Sequence, residues 1–213
     1  MIQLILGGAR SGKSRYGESV VAEFACLGQH CVYVATALGN DDEMRQRIAK
    51  HQYDRAHVID PKSKIDWQLI EEPLFIAEAL QAIDAPNQTI FVDCLTLLLT
   101  QHLLRDGQDD QLSSWLNDAA TSHAAQQGQF DALSVSWEEQ KSRLLAVLPR
   151  LQSNVVLVSN EVGSGIVPLG ELSRDFVDQA GWLNQAIAQL ADEVTLVVAG
   201  MPLQLKAASI DEQ

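Results

Sequence analysis

Eight residues near the start of the chain, Gly7-Gly8-Ala9-Arg10-Ser11-Gly12-Lys13-Ser14, have the types and spacing that phosphate chemistry needs. They complete the pattern G-x-x-x-x-G-K-[ST], the P-loop. Glycines let backbone N–H groups turn inward around phosphate oxygens, Lys13 reaches the β/γ oxygens, and the Ser14 hydroxyl holds Mg2+ at a helix N-terminus. The segment lies between an apolar run at 2–6 and a helical stretch, the context in which this pattern binds a nucleoside triphosphate. Asp93 is the natural second group, because it closes the apolar run Phe91-Val92-Asp93. An acid at a strand's carboxyl end can hold a Mg2+-bound water opposite Ser14. Strands ending in Asp also serve as plain turn or helix caps, and only the P-loop raises the metal reading above that one.

Three further groups could carry chemistry. Met44, Ile48, His51 and Arg55 recur at helical spacing, so His51 shares a face with two apolar residues one turn before an arginine. Two roles stay open for it. One is a packing-face histidine, the commoner case on pattern alone. The other is a nucleophilic neutral imidazole, feasible because an unperturbed pKa of about 6.5 leaves a lone pair free near pH 7. Ser159-Asn160-Glu161-Val162-Gly163-Ser164-Gly165-Ile166-Val167-Pro168 follows a strand candidate at the edge where α/β sheets bind ligands. Arg174, Asp175 and Asp178 sit at helical spacing, as a solvated face or as substrate contacts.

The elements that must position these groups alternate. Strand candidates fall at 2–6, 31–36, 89–92, 154–159 and 193–199, short and apolar on both faces. Helices are expected at 14–27, from Asp41 or Asp42 to about His51, at 72–83, and from a Ser136-x-x-Glu139 capping box to Leu148 before Pro149. Such alternation predicts an α/β fold, a mainly parallel sheet flanked by helices in the P-loop NTPase-like (RecA-like) manner. The 213 residues, 46% hydrophobic and 20% charged, suit one domain, with residues 106–135 forming an insertion or excursion from the sheet.

A formal charge of −13 argues against DNA, RNA or an anionic membrane as partner. Cys26, Cys31 and Cys94 lack metal-ligand spacing and read as small core residues in a reducing compartment, without a disulfide. The chain enters a strand at once, and its longest apolar run, 90–104, carries Asp93 and is too short to span a bilayer. A soluble, cytoplasmic protein is expected.

Taken together, these segments resemble the bifunctional adenosylcobinamide kinase / adenosylcobinamide-phosphate guanylyltransferases of cobalamin biosynthesis. The blocks that carry the resemblance run in order from end to end. They are Gly7 to Arg15, Tyr33-Val34-Ala35-Thr36-Ala37, Asp41-Asp42-Glu43-Met44 with Arg47-Ile48 and His51, and Trp67 with Glu71-Glu72-Pro73. Val92-Asp93-Cys94-Leu95-Thr96, the loop from Ser159 to Pro168, Arg174-Asp175-Phe176, Ala180-Gly181 and Ala199-Gly200-Met201-Pro202 complete them. The chain departs from the family pattern in Gln52-Tyr53-Asp54-Arg55, in extra length at 57–66, and in Leu98 where Trp is usual.

The resemblance implies that His51 becomes guanylylated and that Gly7, Gly8, Ala9, Arg10, Ser11, Gly12, Lys13 and Ser14 bind the nucleotide phosphates. It implies that Ala35, Thr36, Ala37, Gln52, Tyr53, Asp54, Arg55, Glu71 and Asp93 contribute to the GTP site. A γ-phosphoryl would pass from ATP or GTP to the hydroxyl of adenosylcobinamide, with Lys13 and Mg2+ neutralising charge. GMP would then pass from GTP through His51 to adenosylcobinamide phosphate, giving adenosylcobinamide-GDP. A homo-oligomer, specifically a homotrimer, is implied as well. The competing enzyme reading is a P-loop small-molecule kinase with a structural His51, and the non-enzymatic one is a nucleotide-sensing module.

Overall fold

The computed structural model describes residues 1–37, 65–106, 135–166 and 168–208. Six strands run parallel: β1 (Ile2–Gly7), β2 (His30–Ala35), β3 (Trp67–Glu71), β4 (Gln88–Asp93), β5 (Asn154–Asn160) and β6 (Glu193–Val198). A seventh, β7 (Met201–Lys206), returns antiparallel to β6. Between them lie α1 (Lys13–Cys26), α2 (Ile76–Ile83), α3 (Leu95–Asp106), α4 (Trp137–Val147) and α5 (Glu171–Leu190). The spatial order β3-β2-β4-β5-β1-β6-β7 inserts β5 between the strand that feeds the P-loop and the strand that ends in Asp93.

The pleat divides the strands' side chains between two cores. Leu4, Leu6, Val32, Val34, Ile90, Val92, Val155 and Leu157 join α2 to α5 on one face. Ile5, Tyr33, Phe91, Val156, Val158 and Val197 join Val21 of α1 on the other. Apolar side chains on both faces are what a covered parallel sheet requires. Helix α1 comes in close because Gly17 has no side chain: a Cβ there would lie 2.5 Å from the ring of Phe91.

Five strands fall where the apolar runs place them, whereas two arrive unannounced. Trp67–Glu71 has an apolar-polar pattern too short to read, and only Ile70 of it is buried. Met201–Lys206 contains Pro202 and is exposed throughout, as an edge strand with proline can be. Helix α2 begins at Ile76 rather than at 72, because the buried Glu72 carboxylate accepts from the N–H groups of Leu74 (3.1 Å) and Phe75 (2.8 Å) just before it. Half of the Ser136 capping box forms: the hydroxyl accepts from Glu139 N–H at 3.3 Å, while the Glu139 carboxylate pairs with Arg143 instead. Cys31 and Cys94 are buried as expected; Cys26, at the end of α1, is exposed, and none of the three is in a disulfide. The helix expected to end near His51 and residues 107–134 of the expected excursion lie outside the described residues.

Candidate active site

The P-loop connects β1 to α1, and its shape follows from glycine at two positions. Gly12 caps α1 at φ +96, and a Cβ there would also sit 3.2 Å from the Cα of Gly200. At Gly7 a Cβ would fall 2.4 Å from Ser11 Oγ and 2.7 Å from the carbonyl oxygen of Val197, so a side chain would force the loop off β6. The loop is tied down by Ser11 N–H to Gly8 O at 3.2 Å and by Gly200 N–H to Ser11 O at 2.7 Å. Arg10 adopts φ +58, a left-handed conformation that a non-glycine residue takes only under constraint. The Lys13 ammonium donates to Gly8 O at 3.2 Å, which holds it over the loop. Ser14 lies in the first turn of α1, where the free N–H groups and the helix dipole favour anions.

Across the sheet, Ala35 pairs with Glu71 on one side and with Asp93 on the other, so these three share one register row at the carboxyl edge. Alternation from Tyr33, Trp67 and Phe91 puts all three on the face that carries α1. Asp93 is held: the phenol of Tyr33 donates to its Oδ2 at 2.9 Å. Tyr33 is itself wedged edge-on against Trp67 and Phe91, with ring centroids 5.5 and 5.2 Å away. One carboxylate oxygen is thereby engaged, and an acid so held at a strand's carboxyl end is a donor type that fits Mg2+.

Thr36 fixes the corner that follows. Its hydroxyl donates to Cys94 O (2.7 Å) and accepts from Cys94 N–H (2.8 Å), while its own N–H donates to Asp93 O (3.2 Å). Thr36 is wholly buried, and these bonds fix the turn that follows Asp93. Burial and the neighbouring Asp93 charge push the Cys94 thiol up to about 11, and the Lys13 charge offsets part of this. Cys94 is therefore a neutral filler beside the acid, and it places Lys13 within electrostatic reach of the same corner.

The structure thus gathers Gly7, Gly8, Ala9, Arg10, Ser11, Gly12, Lys13, Ser14, Ala35, Thr36, Ala37, Glu71 and Asp93 along one edge. Glu71 is exposed there, in contrast to the buried Glu72. His51, Gln52, Tyr53, Asp54 and Arg55 lie outside the described residues. Tyr33 went unmarked as a site residue, although it stands in the Tyr33-to-Ala37 block. Its tie to Asp93 depends on strand pairing across 60 positions of chain, which residue types do not reveal.

The family described as cobinamide kinase / cobinamide phosphate guanyltransferase matches residues 3–205. The chain belongs to this family. It is 42% identical over 207 residues to the bifunctional adenosylcobalamin biosynthesis protein CobP of Pseudomonas aeruginosa, covering 97% of this chain and 98% of that protein. It is 34% identical to the bifunctional adenosylcobalamin biosynthesis protein CobU of Escherichia coli, covering 97% and 100%. Among solved structures, the flagellar accessory protein FlaH of Methanocaldococcus jannaschii is similar at a TM-score of 0.48 and 12% identity, over 97% of this chain and 78% of that one. The sequence resemblance and the family match agree from one end of the chain to the other.

Proposed function

We propose that this cobinamide kinase / guanyltransferase family member carries out both transfers at the carboxyl edge of its sheet, using the residues gathered there together with His51. The observation that supports this most directly is the juxtaposition of a formed P-loop with a tyrosine-held Asp93 in a chain that matches the bifunctional family over residues 3–205.

In the kinase step, the hydroxyl of adenosylcobinamide attacks the γ-phosphorus of ATP or GTP, its proton is lost, and the bond to the β-phosphate oxygen breaks. Backbone N–H groups of residues 7–14 cradle the phosphates and Lys13 neutralises the charge that builds on the β/γ oxygens. Ser14 and Asp93 are the residues that would hold Mg2+, Asp93 directly or through water. The ion supplies charge neutralisation and orientation of the phosphates.

In the guanylyl step, one nitrogen of His51 attacks the α-phosphorus of GTP and pyrophosphate leaves. An oxygen of adenosylcobinamide phosphate then attacks the same phosphorus, the P–N bond breaks, and adenosylcobinamide-GDP is released with the imidazole restored. Ala35, Ala37, Gln52, Tyr53, Asp54, Arg55 and Glu71 are assigned to the guanine nucleotide in this reading, and Thr36 to holding the turn beneath it.

Incubation with GTP labelled at the α-phosphate tests the assignment. The protein should acquire an acid-labile, alkali-stable label that His51→Ala abolishes. An unlabelled wild-type protein that still phosphorylates adenosylcobinamide would reduce the function to a simple kinase.

We also read the protein as cytoplasmic and homo-oligomeric, with a homotrimer as the specific form. Two features support association: β7 leaves Met201, Leu203 and Leu205 each more than half exposed, and Trp182 of α5 is 55% exposed. Among the described residues no helix is long and apolar enough to cross a membrane.

A further inference from the structure

The connection from β5 to α5, residues 161–170, has no part in the nucleotide set described above, although it rises from the middle of the carboxyl edge. Its root is rigid. Asn160, at the tip of β5, pairs in register with Gly7; its N–H donates to the Thr96 hydroxyl (2.8 Å) and its carbonyl accepts from the Asn184 amide (3.1 Å). The Glu161 N–H donates to Gly7 O at 3.2 Å, so the connection starts against the P-loop itself. The Glu161 carboxylate then accepts from Gly163 N–H at 2.9 Å, and Val162 packs into the core beneath α5. The far end is held as well. The Arg174 guanidinium of α5 donates to Pro168 O (3.3 Å) and to Leu169 O, and Phe176 packs into the same core.

What this frame presents is apolar. Ile166 is 98% exposed and Leu169 97%, and residues 162–170 include no charged side chain in a chain that is 20% charged. Single apolar residues on a surface are ordinary, but two large ones in full exposure on a braced, uncharged loop beside a P-loop mark a contact surface. The fold does not use them, because Val162, Phe176 and the backbone bonds anchor the loop. Nucleotide phosphates do not use them either, since they need N–H donors and cations. Ala35, Glu71 and Asp93 lie on the face that carries α1, whereas Val162 and Phe176 root the loop on the opposite face. The reactant left to occupy that side of the edge is the acceptor. Its corrin macrocycle is a broad ring carrying many methyl groups, the chemistry that apolar side chains around a few polar groups bind.

We propose that Ile166 and Leu169 form the apolar seat for the corrin ring of the acceptor, with Arg174 as the positioning residue that holds the seat, so that the acceptor hydroxyl reaches the γ-phosphate from the side of the edge opposite α1. The inference rests on the adenosylcobinamide reading above and adds to it the segment that selects the acceptor.

Steady-state phosphorylation by the full chain with Mg2+, varying adenosylcobinamide and ATP in turn, tests the assignment. The double variant I166S/L169S should raise the KM for adenosylcobinamide about tenfold and leave kcat and the KM for ATP within about twofold, the pattern of binding lost equally from ground and transition states. Neither side chain is buried, so the variant should fold; L169S alone, with a rise of about threefold, serves if it does not. Arg174→Ala should raise the same KM about threefold, and Arg174→Lys, which keeps a donor for one carbonyl, should recover part of it. An unchanged KM for adenosylcobinamide in the folded serine variant overturns the proposal, as does an equal rise in both KM values, and a wild-type KM in Arg174→Ala refutes its positioning role. A serine variant whose oligomeric state differs from the wild type's in sedimentation also overturns it, by assigning the loop to a contact between copies of the chain. A wild-type protein that phosphorylates no adenosylcobinamide overturns the proposed function and the seat with it; with the wild type active, a failure falls on the loop alone.

Discussion

The two ends of the parallel strands treat most of their polar groups differently. At the amino edge every group named here is answered by another. The Asp84 carboxylate accepts from the N–H groups of Gln152 (3.0 Å) and Ser153 (2.9 Å) and from the Ser153 hydroxyl (2.8 Å). Gln29 Oε1 accepts from Thr89 (2.5 Å) and Asn154 (3.0 Å), and Gln88 donates to Ile83 O (2.6 Å). These bonds join the starts of β4 and β5 to the loops that lead into β2, β4 and β5. At the carboxyl edge, Ser11 Oγ and Asn160 Oδ1 are buried with no partner among the described residues. Non-glycine Arg10 and Ala199 take positive φ there. The contrast is one of degree: Gln3 Oε1 near the start of β1 is also buried with no partner among the described residues, and Asn87 ahead of β4 also takes positive φ, but most of the bonds at the amino edge serve the fold.

If that contrast is right, substitutions at the two edges should move different observables. The largest effect is expected from Lys13→Ala, which should lower phosphoryl transfer to adenosylcobinamide by about 10²- to 10³-fold. The melting temperature should shift by no more than about 2 °C, since the hydrogen bond of Nζ to Gly8 O is partly exposed to water. A large loss of stability in that variant would erase the distinction between the edges.

Asp84→Ala should do the reverse. Removing the acceptor of the Gln152 and Ser153 N–H groups is expected to cost about 0.5–1.5 kcal/mol in urea unfolding, with the turnover of folded enzyme unchanged. A pH series sharpens it. Partial burial pushes the Asp84 carboxyl up, but the hydrogen bonds from Ser153 and Gln152 outweigh this and hold it below its ordinary range. A depressed folded value means that its stabilisation is complete above the unfolded pKa of about 3.9 and fades as pH falls through the folded one. The stability gap between wild type and Asp84→Ala should therefore be constant from pH 5 to 8 and shrink below about pH 4. A gap that widens on acidification would contradict this origin.

Tyr33→Phe should show the smallest effect. It deletes the 2.9 Å hydrogen bond to Asp93 while keeping the ring between Trp67 and Phe91. Stability should change by less than about 1 kcal/mol. The Mg2+ concentration that half-saturates triphosphate binding should rise about threefold to tenfold, with binding in excess Mg2+ restored. An unchanged Mg2+ requirement would make Tyr33 a packing residue only.

Much of the site was legible from residue order because its parts are local. A P-loop is eight consecutive residues following a strand, and Phe91-Val92-Asp93 declares both a strand and the acid at its end. The capping serine at 136 is likewise a short-range signal, and its hydroxyl is found on the Glu139 N–H. Blocks matching the family from residue 7 to residue 202 brought His51 forward, where pattern alone left two roles open and favoured the packing face.

Residue order therefore determined the phosphate cradle, the central parallel strands and the family, since each is written in contiguous residues whose periodicity or spacing has a direct physical meaning. Only the tertiary structure decided that β5 lies between β1 and β4, that Tyr33 holds Asp93, that Thr36 is engaged by Cys94, and that Asn160 stands clamped beside Gly7. These are pairings between distant segments. Strand order and register set them, and both emerge when the chain buries its two apolar faces together, a choice that no single segment records.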